Sequence, residues 1–225
     1  MTRIYFPGCK IRAKYPEASR RMIELVREHG MADEVTGCCR TNHQSLRPED
    51  TAVCICCNCM AMIDEDAANE RMDYLYALID ADPSFPLPDW SGLELSVQDC
   101  GRAWDRPELH DAVRSLLAKM NVRVTEAPDA REKTTFCGVS GLTPVPEQDA
   151  SFAPRRYTVE APARGLFANA ERDASEAMRE HAAHIPADVV ACYCTACHDG
   201  LVLGGKHAVN MIELVCGTAQ LNDLR

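Results

Sequence analysis

The chain has 225 residues, of which 13 are cysteines, 46% are hydrophobic and 26% are charged, and its formal net charge is −10. This composition predicts a globular protein with a core of its own and excludes the basic surface that nucleic-acid binding requires. No apolar stretch is long enough to span a bilayer, and the N-terminus lacks the pattern of an export signal, so we expect no membrane span and a cytoplasmic location. Clustered cysteines in a reducing compartment indicate metal or redox chemistry rather than disulfide bonding.

Apolar periodicity and turn residues predict two strands and two helices in the first part of the chain. These elements are a strand at 4–6, a helix at 16–29, a strand at 51–55 and a long helix at 60–81. A proline-rich stretch at 83–89 follows, and it cannot extend a helix. We take it as the boundary between two halves, residues 1–88 and 89–225.

The second half repeats this alternation of strands and helices. The predicted strands are 93–97, 122–125, 134–136 and 188–191, and the predicted helices are 107–120, 168–184 and 208–215. Four prolines within 142–165 predict an extended loop there.

Short sequence features recur in the two halves at matching places. Cys9 and Cys100 each follow a predicted strand, and Pro16 and Pro107 then open a helix at the same distance in each half. A C-x-C-x-x-C pattern occurs at 54–59 and again at 192–197. The sequence therefore predicts an α/β fold with two pseudo-repeated halves. Each half should contain a short parallel sheet flanked by helices, with its cysteine site at the carboxyl ends of the strands.

The repeated cysteines form two sets. The first set has five members: Cys9, Cys38, Cys39, Cys56 and Cys59. The second set has four members: Cys100, Cys137, Cys194 and Cys197. Ligand sets made only of sulfur favour zinc or iron–sulfur clusters, and a C-x-x-C pair can grip one metal from a single turn. Five thiols exceed what tetrahedral zinc uses, which favours a cluster with unusual ligation, a reactive free thiol, or a surplus cysteine that is simply buried.

In its ordered motifs the chain resembles the cysteine-rich CCG-domain family, typified by the disulfide-cleaving component of heterodisulfide reductase. Iron–sulfur subunits of glycolate oxidase, glycerol-3-phosphate dehydrogenase and lactate-utilisation systems are related to that component. The family pattern is a lone cysteine, then Cys-Cys-Gly, then C-x-x-C, usually twice. The elements similar to it are Tyr5-Phe6-Pro7-Gly8-Cys9, Gly37-Cys38-Cys39-Arg40, Cys56-Cys57-Asn58-Cys59, Val97-Gln98-Asp99-Cys100, Phe136-Cys137-Gly138 and Cys194-Thr195-Ala196-Cys197.

The resemblance implies that the nine cysteines of the two sets bind iron–sulfur clusters. In heterodisulfide reductase such cysteines hold non-cubane four-iron clusters that reductively cleave a disulfide. The resemblance further implies a disulfide substrate and an electron-donor protein, either ferredoxin-type or a flavoprotein subunit. The chain lacks a ferredoxin cysteine run and a nucleotide-binding glycine motif, so electrons must come from another protein.

The chain departs from the family pattern at three points. Arg40 stands in place of the first motif's glycine, and the stretch between Cys39 and Cys56 is shorter than in the family, so a helix should be missing there. Phe136 stands in place of one cysteine of the second pair. We therefore expect one unusual [4Fe-4S] cluster in the first half, and a second cluster, zinc or a vacant site in the second half.

Four cysteines fall outside both sets: Cys54, Cys57, Cys192 and Cys216. The first three adjoin the C-x-x-C elements and could substitute for a missing ligand, whereas Cys216 should pack on the apolar face of the last helix. Two functions remain open. One is a redox subunit acting on disulfides, and the other is an electron-relay or zinc-binding scaffold without a substrate of its own.

Overall fold

Two four-stranded parallel sheets form the framework of the protein, for which a computed structural model describes residues 1–142, 152–167 and 172–220. Strands β1 to β4 of the first sheet are Arg3–Phe6, Glu34–Val35, Thr51–Cys54 and Arg71–Tyr74. Strands β5 to β8 of the second sheet are Glu94–Gln98, Arg123–Val124, Val189–Cys192 and His207–Asn210. The strand orders are β2-β1-β3-β4 and β6-β5-β7-β8, and all neighbouring strands are parallel. The predicted α/β class and the two repeated halves are therefore confirmed, while the boundary at residues 88 and 89 stays a prediction.

Helices connect the strands of each sheet, as parallel strand connections require. In the first half they are α1 (Cys9–Lys14), α2 (Pro16–Glu28), α3 (Cys39–Asn42), α4 (Cys57–Asp66) and α5 (Leu75–Ala81). In the second half they are α6 (Pro107–Lys119), α7 (Ala161–Ala163), α8 (Ala174–Ala183), α9 (Thr195–Leu203) and α10 (Met211–Cys216). A π-helical segment, Arg155–Glu160, leads directly into α7.

The two long matching helices, α2 and α6, begin and end in the same way. Each has proline in its first turn, where the missing N–H leaves no hydrogen bond unmade. Each is followed by a residue with positive φ, Gly30 at 60° and Asn121 at 60°. The repeat predicted from the cysteines thus extends to the starts and ends of the helices.

The predicted helix at 60–81 is wrong in its middle. Helix α4 ends at Asp66 and α5 begins at Leu75, and between them β4 pairs with β3 in the register Ala52–Met72. The apolar spacing of this region fits a helix, but pairing with β3 outweighs local periodicity because it satisfies a whole row of backbone groups.

The predicted helix at 208–215 is wrong at its start for the same reason. Residues 207–210 form β8 beside β7, and α10 begins only at Met211. Asn210 caps that helix by accepting the N–H of Ile212, while Glu213 reaches back to the N–H of Asn210. This capping box fixes the point at which the strand becomes a helix.

The segment before Cys137 and the proline-rich loop also differ from the sequence predictions. Residues 134–136 form no strand, since their hydrogen bonds run to Gly101 and Gln98 rather than to a ladder. Within the predicted loop at 142–165, residues 155–163 are helical, and 143–151 lie outside the described residues. The helix predicted at 168–184 is observed as α8, with 168–171 also outside the described residues.

The halves pack on each other reciprocally, in the manner of an approximate two-fold axis. The last helix of each half lies against the long helix of the other, α5 on α6 and α10 on α2. In the same way α4 contacts the 3-10 turn Gly101–Ala103, and α9 contacts α1. One continuous hydrophobic core results. In the described ranges no helix is both long enough and apolar enough to cross a membrane.

Candidate metal centre

The five cysteines of the first set lie together beyond the carboxyl ends of β1, β2 and β3. All five line one cavity, and neighbouring thiols shift the pKa values of Cys9, Cys39, Cys56 and Cys59. The structure thus brings together all the residues that the sequence assigned to this site, which we call the first site. Their role as ligands stays a prediction.

The first site is partly open to solvent. Cys9 is exposed, Cys38 and Cys56 are half-buried, and Cys39 and Cys59 are buried. A hydrogen bond from the Cys59 thiol, helped by the Arg40 backbone, lowers the pKa of Cys39 to about 7. The Cys59 thiol and the backbone N–H groups of α4 also lower the pKa of Cys56. The thiolate form, which binds metals, is therefore favoured at both cysteines, and for Cys39 it is reached near neutral pH.

The four cysteines of the second set, which form the second site, converge on Cys100. The Sγ atoms of Cys100, Cys194 and Cys197 all lie within 4.8 Å of one another. The Cys137 thiol is in hydrogen-bond contact with that of Cys100. Hydrogen bonds from Cys100 and Cys197 lower the pKa of Cys194 well below its ordinary value. The group of three thiols is compatible with metal binding.

A glycine brings Cys137 into the second site. Gly138 has φ of 54°, and a Cβ on it would lie 1.8 Å from the carbonyl oxygen of Ala196 at the start of α9. No other residue fits there, because both the backbone conformation and the close approach exclude a side chain. In the first half Arg40 occupies the equivalent place without positive φ, since the chain enters α3 there.

A buried arginine supplies positive charge to the second site. Arg102 Nε donates to Cys137 Sγ at 2.9 Å, and Arg102 Nη1 donates to Asn58 Oδ1 at 2.7 Å. Its guanidinium lies 4.7 Å from the centre of the Tyr157 ring. Contact with Cys100 and burial raise the pKa of Cys137, and the Arg102 charge opposes that rise. Arg102 therefore favours the thiolate form that a metal ligand needs.

A second charged network holds the backbone of Cys100. The fully buried Asp99 carboxylate accepts two hydrogen bonds from Arg114, at 3.0 and 2.7 Å, and one from the Arg131 N–H at 2.6 Å. It also accepts the hydroxyl of Tyr193 at 3.1 Å, whose oxygen in turn accepts the N–H of Cys100. The position of Cys100 thus depends on a satisfied buried ion pair.

The side chain of Phe136, next to Cys137, packs on an imidazole and offers no sulfur to the second site. The Phe136 ring stacks on His181, with ring centres 3.8 Å apart and an angle of 7° between the planes. Burial lowers the pKa of His181 to about 4, which keeps this imidazole neutral. The Phe136–His181 pair therefore packs the back of the second site and supplies no ligand.

Of the four remaining cysteines, one lies next to the second site. Cys57 is buried and lines the same cavity as Cys194. Cys54 and Cys192 are fully buried at the ends of β3 and β7. Cys216 donates to the carbonyl of Ala18 at 3.3 Å, and burial raises its pKa to about 12, as expected of a packing residue.

Both sites adjoin one cavity of about 200 Å³ between the halves. Seven cysteines line it: Cys9, Cys38, Cys39, Cys56, Cys57, Cys59 and Cys194. Polar and aromatic side chains complete its wall, among them Arg102, Asn58 and Tyr157. The Tyr157 hydroxyl donates to Asn58 Oδ1 at 2.9 Å. This cavity can hold a small group in contact with thiols of both halves.

Sequence reasoning missed the polar residues around the second site. Arg102 and Asp99 flank Cys100 in the chain, and a charged residue beside a cysteine at a strand end was a usable signal. Tyr157 comes from the segment predicted as an extended loop, and nothing in its local pattern indicated a site. No family model matches the chain, nor does any curated protein or any solved structure.

Proposed function

We propose that the protein is an iron–sulfur redox protein of the CCG-domain type, acting on thiols and disulfides. The observation that carries this proposal is the juxtaposition of two multi-thiol sites on one cavity. A single structural zinc needs four ligands and no cavity. Two adjoining thiol sites beside a small polar cavity are suited to a substrate that is itself made of sulfur.

The donor chemistry fits iron–sulfur clusters. All donors are sulfur, most are buried, and the pKa values of Cys39, Cys56 and Cys194 are lowered, which favours the thiolate form that binds a cluster. Cys9, Cys38, Cys39, Cys56 and Cys59 would hold one cluster, and Cys100, Cys137, Cys194 and Cys197 a second. Such clusters supply single electrons at low potential.

The chain's own side chains would bind and orient the substrate. Arg102 and Asn58 present hydrogen-bonding groups to the cavity, and the Tyr157 and Phe152 rings limit access of water. Arg40 lies 4.7 Å from the centre of the Phe152 ring at the edge of the first site. A disulfide that enters here meets exposed Cys9 first, and the electrons would come from a ferredoxin-type or flavoprotein partner.

A zinc-binding scaffold is the second candidate, and one observation favours it. The Sγ atoms of Cys100, Cys194 and Cys197 lie within 4.8 Å of one another, a range that includes the separation of about 3.8 Å between sulfurs on tetrahedral zinc with Zn–S bonds of about 2.3 Å. In this case the second site would hold zinc, and the protein would be a subunit of a larger complex and would have no substrate of its own.

Metal analysis after anaerobic purification distinguishes the two candidates. We expect iron and sulfide in comparable amounts, near four per chain or a multiple of that, with broad visible absorption. One zinc per chain without iron would overturn the redox proposal.

A Cys39→Ala variant tests the first site within the same experiment. Because Cys39 contacts both Cys38 and Cys59, its removal should lower cluster content markedly. The matched control is Cys216→Ala, which removes a packing thiol and should retain the cluster. Full cluster content in Cys39→Ala would refute the assignment of ligands to the first site.

A further inference from the structure

The reciprocal packing of the halves places the start of α4 beside the second site. Helix α4 belongs to the first half, yet it contacts the turn Gly101–Ala103 that follows Cys100. Cys57 is the first residue of α4; it is buried and lines the same cavity as Cys194. Its neighbour Asn58 accepts a hydrogen bond of 2.7 Å from Arg102, which also donates to Cys137 of the second site. A cysteine from the first half therefore lies beside the thiols of the second site.

The matching position in the second half carries no thiol. Thr195 is the first residue of α9, as Cys57 is of α4, and α9 contacts α1, which begins at Cys9. Thr195 and Cys9 line the same cavity. Each half thus extends one helix start toward the other half's lone cysteine, but only the first half presents sulfur there.

The additional thiol of Cys57 compensates for the smaller number of cysteines in the second set. The first site has five thiols from its own half, whereas the second has four because Phe136 replaces a cysteine and stacks on His181. With Cys57 included, the second site comprises the close group of Cys100, Cys194 and Cys197 together with Cys137 and Cys57. Each site then contains five thiols.

We propose that Cys57 is the fifth thiolate ligand of the second site, which is therefore built from both halves of the chain. This inference rests on the proposed iron–sulfur function. It makes a multi-iron cluster the second site's ligand, because five thiolates exceed the four that tetrahedral zinc accepts. It also makes the second cluster dependent on the correct docking of the halves.

The test uses the full chain with the first site disabled by Cys38→Ser and Cys39→Ser, so that iron reports on the second site alone. Into this parent we would introduce Cys57→Thr, which places at α4 the residue already present at the start of α9. The control, Cys54→Ala, removes an equally buried thiol from the end of β3. Readouts are iron and sulfide content, Mössbauer and electron paramagnetic resonance spectra, and circular dichroism for folding.

We expect Cys57→Thr to weaken iron retention against a chelator at least about 10-fold and to change the spectra, while Cys54→Ala matches the parent. If Cys57→Thr does not fold, Cys57→Ser keeps the size of the side chain and should give a cluster with altered spectra. Unchanged iron content and spectra in the folded Cys57 variants would overturn the assignment of Cys57 alone. Absence of iron from both the parent and the wild-type chain would overturn the proposed function, and the assignment of Cys57 with it.

Discussion

The two cysteine sites contain similar thiols but differ in exposure and in the means that hold them. The first site opens to solvent through Cys9 and has lowered pKa values at Cys39 and Cys56. In the second site only Cys194 is not fully buried, and Arg102 supplies a buried positive charge. The first site is therefore the more open to solvent, and we expect it to exchange a bound metal faster than the more buried second site.

The residue before each lone cysteine shows how this difference arises. Gly8 precedes Cys9 with φ of 71°, and a Cβ on it would lie 3.0 Å from the Cβ of Cys56. Asp99 precedes Cys100 and is buried in its network with Arg114. At its lone cysteine the first site depends on a close approach by the backbone of Gly8, whereas the lone cysteine of the second site is held by a paired buried charge.

The largest expected effect follows from breaking that buried pair. Asp99→Ala removes the buried acceptor of Arg114, of the Tyr193 hydroxyl and of the Arg131 N–H, while Arg114 keeps Glu126, so we expect the free energy of unfolding to fall by about 3 kcal/mol. Urea unfolding of the cluster-free protein measures this change in the free energy of unfolding. The control Asp188→Ala removes an almost fully exposed carboxylate and should change stability by no more than about 0.5 kcal/mol. Equal losses in the two variants would show that the second site does not depend on this ion pair.

A smaller effect, confined to one site, is expected from Arg102→Gln. Loss of the guanidinium removes the hydrogen bond to Cys137 and disfavours its thiolate, so the second site should bind its metal about 10- to 100-fold more weakly. Metal release to a chelator, followed in two phases, measures both sites in one experiment. Arg40→Gln is the matched change at the first site and should alter release little, because Arg40 is exposed. Slower release from the first site than from the second in the wild-type chain would contradict the expectation that the more buried site releases its metal more slowly.

The smallest effect concerns thiol reactivity in the reduced, metal-free protein. The pKa of Cys39 is lowered to about 7, so its thiolate fraction should rise between about pH 6 and pH 8. Burial and neighbouring thiols raise the pKa of Cys9 and of Cys137, so both should react at higher pH, although Cys9 is more exposed than Cys39. Limited alkylation across this range, mapped by mass spectrometry, gives the order of reaction. Modification of Cys137 before Cys39 at pH 7 would contradict the prediction that the first site contains the more reactive thiol.

Local sequence patterns predicted most of the fold that positions the sites. The strands at β1, β3, β5 and β7 and the helices that begin at Pro16 and Pro107 followed from apolar runs and helix-start residues. The patterns failed at β4 and β8, where short apolar segments at helical spacing pair with a neighbouring strand instead. Strand pairing is a long-range interaction, and a single-sequence pattern records only neighbours along the chain.

The sequence by itself determined that the chain consists of two repeated halves and which nine cysteines are grouped by their repeated spacing. Spacing works here because a lone cysteine and a C-x-x-C element each follow a strand, and parallel strands end on the same edge of a sheet. Only the tertiary structure decided that Cys57 of the first half lies beside the thiols of the second site, and that Arg102 and Asp99 support that site. These contacts arise from the approximate two-fold packing of the halves, which brings together residues far apart in the chain and leaves no periodic trace in the sequence.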